Sequence, residues 1–135
     1  MPATISSTST VDTILPEYAR RVGAYAGSFS TTTTVTTNTS VVSTGLTDRG
    51  FSVDDILNDF YIRITSGNND NAIRRISDFT GSSGTITVTG TSLTADSGTG
   101  TTFEIYRYDP TLLLETLQTG AQDAFPAIYV EINAR

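Results

Sequence analysis

Cysteine, histidine, tryptophan and lysine are all missing from this sequence. Without cysteine there is no disulfide, no thiolate nucleophile and no cysteine metal site. Without histidine and lysine there is no imidazole base and no Schiff-base amine, which leaves carboxylates, tyrosine and hydroxyls for any chemistry. No Gly-rich loop ends in Lys, so a phosphate-cradling loop of that type is excluded. Apolar runs are short. None approaches the roughly 18 residues of a membrane span, and Met1 to Ile5 lacks the basic segment and apolar stretch of a signal peptide. The expectation is a chain that does not enter a membrane, with a composition that fits a reducing cytoplasm.

Positive charge is scarce as well. Eight basic residues, all Arg, face 14 acidic ones, for a net charge of −6, and the densest basic pairs are Arg20-Arg21 and Arg74-Arg75. Binding to a nucleic-acid backbone needs concentrated positive charge. No sequence-specific nucleic-acid binding is therefore expected.

What the sequence has in quantity is Thr and Ser. Hydrophobic residues make up 37 %, against roughly 45–50 % in soluble domains when Gly is counted. The 11 Gly close most of that gap, and 135 residues suffice for one compact domain. The branched Cβ of Thr favours strands, while Ser and Gly favour turns. The fold class expected is mainly β with flanking helices: a small antiparallel β-barrel or sandwich plus short N-terminal and C-terminal helices. Three segments follow: 1–23 as an arm and short helix, 24–109 as the antiparallel β domain, and 110–135 as a helix followed by a terminal strand or tail.

Along the chain, Val11, Ile14, Leu15, Tyr18, Ala19 and Val22 recur at helical spacing, with Gly23 as a stop. Pro16 cannot donate inside a helix, so the helix spans this whole stretch or only Pro16 to Val22. The Thr-rich text from Ala24 to Gly45 reads either as two edge-like strands, 29–37 and 40–46 with a turn at Asn38-Thr39, or as a linker. Ser52 to Leu57 begins like a capped helical turn. Strands follow at 60–65, 72–79, 85–89 and 103–108, separated by Gly-, Asn- and Ser-rich turns. In the second of these the alternation slips between Ile73 and Ile76, which a bulge would repair. Asp109-Pro110 is a good helix start, Phe125-Pro126 a stop, and Ile128, Val130 and Ile132 alternate as in a strand. That last strand pairs either within the chain or with a neighbouring subunit.

The wording from Phe60 to Ile105 resembles a module of tailed-bacteriophage virion proteins of the neck and tail, the head–tail adaptor type. The resemblance lies in Phe60-Tyr61-Ile62-Arg63-Ile64-Thr65-Ser66-Gly67, Arg75-Ile76-Ser77-Asp78-Phe79-Thr80-Gly81, Gly84-Thr85-Ile86-Thr87-Val88 and Thr102-Phe103-Glu104-Ile105. The helix after Asp109-Pro110 is similar to the one that follows the barrel in that family. The Thr-rich stretch from Ser30 to Thr37 has no counterpart there. The resemblance covers about half the chain. It implies a structural, non-enzymatic virion protein, assembled in the host cytoplasm. Such a protein forms a homo-oligomeric ring and a head–tail connector with other virion proteins such as portal or tail proteins.

The interface residues expected on this reading are Leu113, Leu114, Leu117 and Ala121 on the helix, Tyr106 and Tyr108 beside Arg63 on the sheet, Arg74 and Arg75, and Ile128 and Val130 on the last strand. No catalytic residue and no cofactor is expected, because Asp54, Asp55, Asp59, Asp70, Asp78 and Glu104 lie in no motif of diagnostic spacing. Asp54, Asp55 and Asp59 offer oxygen ligands of the kind Ca²⁺ takes, at a spacing unlike an EF-hand loop. Other placements the sequence allows are a tail, fibre-base or capsid-decoration subunit, or a polysaccharide-binding surface module lined by Tyr61, Tyr106 and Tyr108.

Overall fold

The computed structural model describes residues 11–32, 39–95 and 100–120. The arm expected at 1–10, the central Thr run, residues 96–99, Ala121, the stop expected at Phe125-Pro126 and the terminal strand expected with Ile128 and Val130 lie outside the described residues.

The chain begins with helix α1, Val11–Arg21. The full stretch is helical, so Pro16 does not shorten it; its missing N–H forfeits only the bond to the Asp12 carbonyl, and its ring is buried. The stop at Gly23 is as expected. Gly23 takes a left-handed φ of 72°, its N–H bonds the Arg20 carbonyl, and the Ala24 N–H reaches back to the Ala19 carbonyl at 2.7 Å. The helix is thereby turned straight into strand β1, Tyr25–Ser30.

Next come β2 (Ser40–Val42), α2 (Thr44–Asp48), β3 (Tyr61–Ile64), β4 (Ile73–Thr80), β5 (Thr85–Thr89) and β6 (Thr102–Tyr106). Residues 110–120 form a further helix, α3. The six strands make one antiparallel sheet in the order β1-β6-β3-β4-β5-β2. The fold is thus a six-stranded antiparallel sheet flanked by helices from both ends of the chain.

The Thr-rich region departs from expectation in three ways. The first strand begins earlier, at Tyr25, and ends at Ser30. The second stops at Val42, because Ser43 bonds the Ser30 carbonyl through its hydroxyl at 2.6 Å and the chain turns into α2, burying Leu46. The two strands are also not partners in a hairpin ladder. They sit at opposite ends of the strand order, and among the described residues they approach at a corner, where the Thr32 N–H donates to the Val42 carbonyl at 3.0 Å.

Residues 52–57 do not form a helical turn. Asp55 and Asp59 have φ of 65° and 70°, a left-handed geometry that cannot continue a right-handed helix. The bulge in β4 exists but lies further along than expected. The register against β5 shifts between Ile76 and Asp78, so Ile76 and Phe79 both point inward while Ser77 and Asp78 are exposed.

One apolar cluster draws on all six strands. Phe29, Val41, Ile62, Ile64, Ile76, Phe79, Ile86, Val88, Phe103 and Ile105 meet there with Leu46, Leu57 and Leu93. A sheet that places every strand against one cluster must curl around it. A second, smaller cluster of Leu15, Ala19, Ala24, Tyr106 and Leu113 lies on the other face, under α1 and α3. Strands β3 and β6 are consequently covered on both faces, which is why Arg63, Glu104 and Tyr106 are interior.

Candidate interaction surface and its buried polar support

The second face of the sheet is built on an ion pair. Arg63 of β3 and Glu104 of β6 are directly opposite in the antiparallel register. Ile62, Ile64, Phe103 and Ile105 turn to the main cluster, so strand alternation sends Arg63 and Glu104 to the other side. There the Arg63 guanidinium, with 2 % of the residue exposed, donates to Glu104 Oε2 at 3.3 Å and to Asn71 Oδ1 at 2.8 Å. It also pairs with Asp12 of α1. The Tyr106 hydroxyl donates to the same Glu104 Oε2 at 2.5 Å.

Each member of this network is held by another. Asn71 reaches Arg63 from a turn that needs its left-handed φ of 67°. The turn is pinned by Asn69, whose side-chain amide donates to the Thr94 carbonyl at 2.7 Å and accepts from the Thr94 N–H at 2.8 Å. The Tyr25 ring packs edge-on against Tyr106, with centroids 5.5 Å apart, and Arg20 of α1 lies over Tyr25 at 4.6 Å.

The electrostatics follow from burial. Burial first, then the bond to Glu104, raises the Tyr106 pKa far above the ordinary tyrosine range. Tyr25 is raised too, by burial and then by the Glu104 charge. For Arg63, burial works to lower the pKa, but the bond and charge of Asp12 and the charge of Glu104 outweigh it, so the guanidinium is held charged. The charged atoms of the network point at other groups of the same chain. What the arrangement does is fix α1 in place: Asp12 is the contact by which the helix finds a buried cation.

Above this support, α1 and α3 leave a groove of about 600 Å³ between them. Ile14 and Tyr18 from α1 and Leu117 from α3 give it an apolar lining, with Glu17, Arg20 and Arg21 along the rim. The helix α3 starts as expected, with Asp109 Oδ1 accepting from the Thr111 N–H at 2.9 Å. A second hollow, of about 400 Å³, lies between the outer edge of β1 and α2 and is lined by Ser28, Phe29, Thr32, Thr44, Asp48 and Arg49.

The interface residues expected from sequence separate into groups. Leu113 is buried in the second cluster, Leu114 packs beside it, and Leu117 faces the groove. Tyr106 is fully buried, so it presents no surface to a partner or a glycan, and the strip of Tyr61, Tyr106 and Tyr108 does not exist as an exposed aromatic lining. Burial likewise removes Arg63 from the expected patch, leaving Tyr108 half exposed. Arg74 is engaged by the carbonyls of Thr91 and Ile73, each at 2.7 Å, and Arg75 pairs with Asp59.

The three aspartates considered for Ca²⁺ have separate partners. Asp54 accepts from the Gly81 N–H at 2.7 Å, Asp55 from Asn58 at 2.8 Å, and Asp59 pairs with Arg75. Among the described residues, no group of three or more His, Cys, Asp or Glu is placed to hold a metal ion, and no helix is long and apolar enough to cross a membrane.

Sequence reading missed the Arg63–Glu104–Asp12 network and the α1–α3 groove. A signal for the first was present: one charge of each sign, each set between inward apolar residues of neighbouring strands. No protein-family model, curated protein sequence or solved structure matches this chain.

Proposed function

We propose that this chain is a structural, non-enzymatic subunit that works by packing against copies of itself and other proteins. Its setting on this reading is a head–tail connector or adaptor of a tailed-phage particle, with portal or tail proteins as neighbours. The observation that carries the reading is the apolar groove between α1 and α3, held over a sheet face whose polar groups are used internally. A surface of this kind suits a docked protein segment: apolar in the centre, charged at the rim. The sequence resemblance from Phe60 to Ile105 supplies the virion setting, and the curled sheet fits the small barrel of that family. We read the corner contact of Thr32 with Val42 and the cover given by α2 as the closure of that barrel.

The exposed apolar residues fit the same reading. Val11, Val22, Val53, Ile56, Tyr108 and Leu112 are each about half exposed or more, and their cover is to come from neighbouring subunits.

The experiment is a particle-assembly reaction with and without the chain, viewed by electron microscopy. Omission is expected to leave filled heads and tails unjoined, and adding the purified chain to join them. Complete particles formed in its absence would overturn the connector assignment.

A further inference from the structure

The loop before β3 carries the counterpart of the groove. Val53 and Ile56 are 61 % and 46 % exposed there, although both are large apolar side chains. They are held out by a rigid frame. The Asp55 N–H donates to the Phe79 carbonyl at 2.9 Å and the Asp59 N–H to the Ile76 carbonyl at 3.0 Å, while Asp54 is bonded to the Gly81 N–H. Leu57, fully buried, anchors the same loop in the main cluster. The result is a fixed knob with two apolar tips and the carboxylates of Asp54 and Asp55 beside them; Asp59 is neutralised by Arg75.

The groove has the opposite character on its rim. Arg20 and Arg21 share one carboxylate, Glu17, at 3.7 and 3.3 Å, which leaves the described residues of the rim with a net positive charge. In a chain of net charge −6 such a rim stands out. Knob and groove also belong to different parts of the sheet. The knob is tied to the end of β4, and the groove lies over β1 and β6 through Ala24, Tyr25 and Tyr106.

We infer that the Val53–Ile56 knob of one copy seats in the α1–α3 groove of the next, with Asp54 and Asp55 facing Arg20 and Arg21. Two different patches in contact make a head-to-tail interface, which closes into a ring when the rotation between copies permits. Val53 and Ile56 provide the apolar contact, and the exposed charges set the register more than the strength. A single loop in a groove is a weak contact alone. Closure of the ring adds strength through effective concentration. The inference deepens the assembly reading above and rests on it.

The test is light scattering coupled to size exclusion on three full-length proteins: the wild type, Ile56→Ser in the knob and Ile14→Glu in the groove. Circular dichroism of each variant checks that the fold is kept. The wild type is expected as a multimer and each variant as a monomer. An equimolar mixture of the two variants is expected to form a one-to-one dimer and nothing larger, and only at concentrations high enough to populate a single unclosed contact, because one intact knob and one intact groove remain to meet. A wild-type multimer that both variants leave unchanged would overturn this interface while the assembly reading stands. A wild type that is monomeric at every concentration would overturn both.

Discussion

The two faces of the sheet are stabilised in different ways. The inner face is apolar throughout: Ile62, Ile64, Ile76, Phe79, Ile86, Phe103 and Ile105 meet with at most 1 % exposure. The outer face of β3 and β6 is buried almost as deeply but carries Arg63, Glu104 and Tyr106. An apolar cluster is tolerant of what packs on it, since dispersion and burial have little direction. A buried ion pair is not tolerant, because every donor and acceptor has to be met. The inner face therefore supplies stability, and the outer face specifies which element covers it and in what position. Asp12 is the group on α1 that meets this requirement.

The largest expected effect comes from breaking the outer face on one side only. Glu104→Ala takes from Arg63 its buried carboxylate, leaving it the exposed Asp12 and Asn71, and strands the Tyr106 hydroxyl, at a cost of roughly 3 kcal/mol, read by urea denaturation. Replacing both ends of the pair at once, Arg63→Met with Glu104→Leu, is expected to recover only part of that loss, because the buried Tyr106 hydroxyl still lacks its acceptor. In the double variant the amides of α1 should nonetheless exchange faster, since the helix has lost the cation that positions it. Unchanged exchange would remove the distinction between the two faces.

A pH titration separates the faces next. The Tyr106 pKa is raised in the folded state, so the unfolded chain gives up its tyrosine proton first. Stability from this source is whole below about pH 10, the ordinary tyrosine value. It falls as pH rises beyond that, by up to ~1.4 kcal/mol per unit. Tyr25 shifts in the same direction. Tyr106→Phe should flatten the alkaline fall in melting temperature, and an equal slope in the variant would count against the buried bond to Glu104.

On the inner face, Ile76→Val removes one methylene from a fully buried position and should cost about 0.5–1.5 kcal/mol, with no change in α1 exchange. The smallest effect belongs to Asp12→Asn. Its carboxylate is 61 % exposed, so the loss in stability should stay below about 1 kcal/mol, yet α1 exchange should rise. That split, little stability but a local loosening, is the signature of a positioning contact.

How much of this was legible in the sequence depends on how local the cause is. The strand at Thr85–Thr89 was read to the residue, because strict alternation and flanking glycines fix it without reference to the rest of the chain. The start of α3 was legible for the same reason: Asp109 and Pro110 act on the adjacent turn. The need for a bulge in β4 could be seen from the slipped alternation, but its position depends on pairing with β5. Non-local causes were hidden. The short β2 and the turn into α2 follow from a bond between Ser43 and Ser30, thirteen residues apart. The burial of Tyr106 depends on α1, far earlier in the chain at Val11–Arg21, lying over it. Strands β3 and β6 keep the alternation of a strand with one wet face although both faces are covered, so Tyr106 and Arg63 read as surface when they are interior.

Sedimentation velocity of the wild-type chain over a wide concentration range is the direct test that this is a subunit made to pack with others. The account predicts that a species several times heavier than the 14.4 kDa chain grows with concentration. A single boundary at the mass of one chain throughout would contradict it.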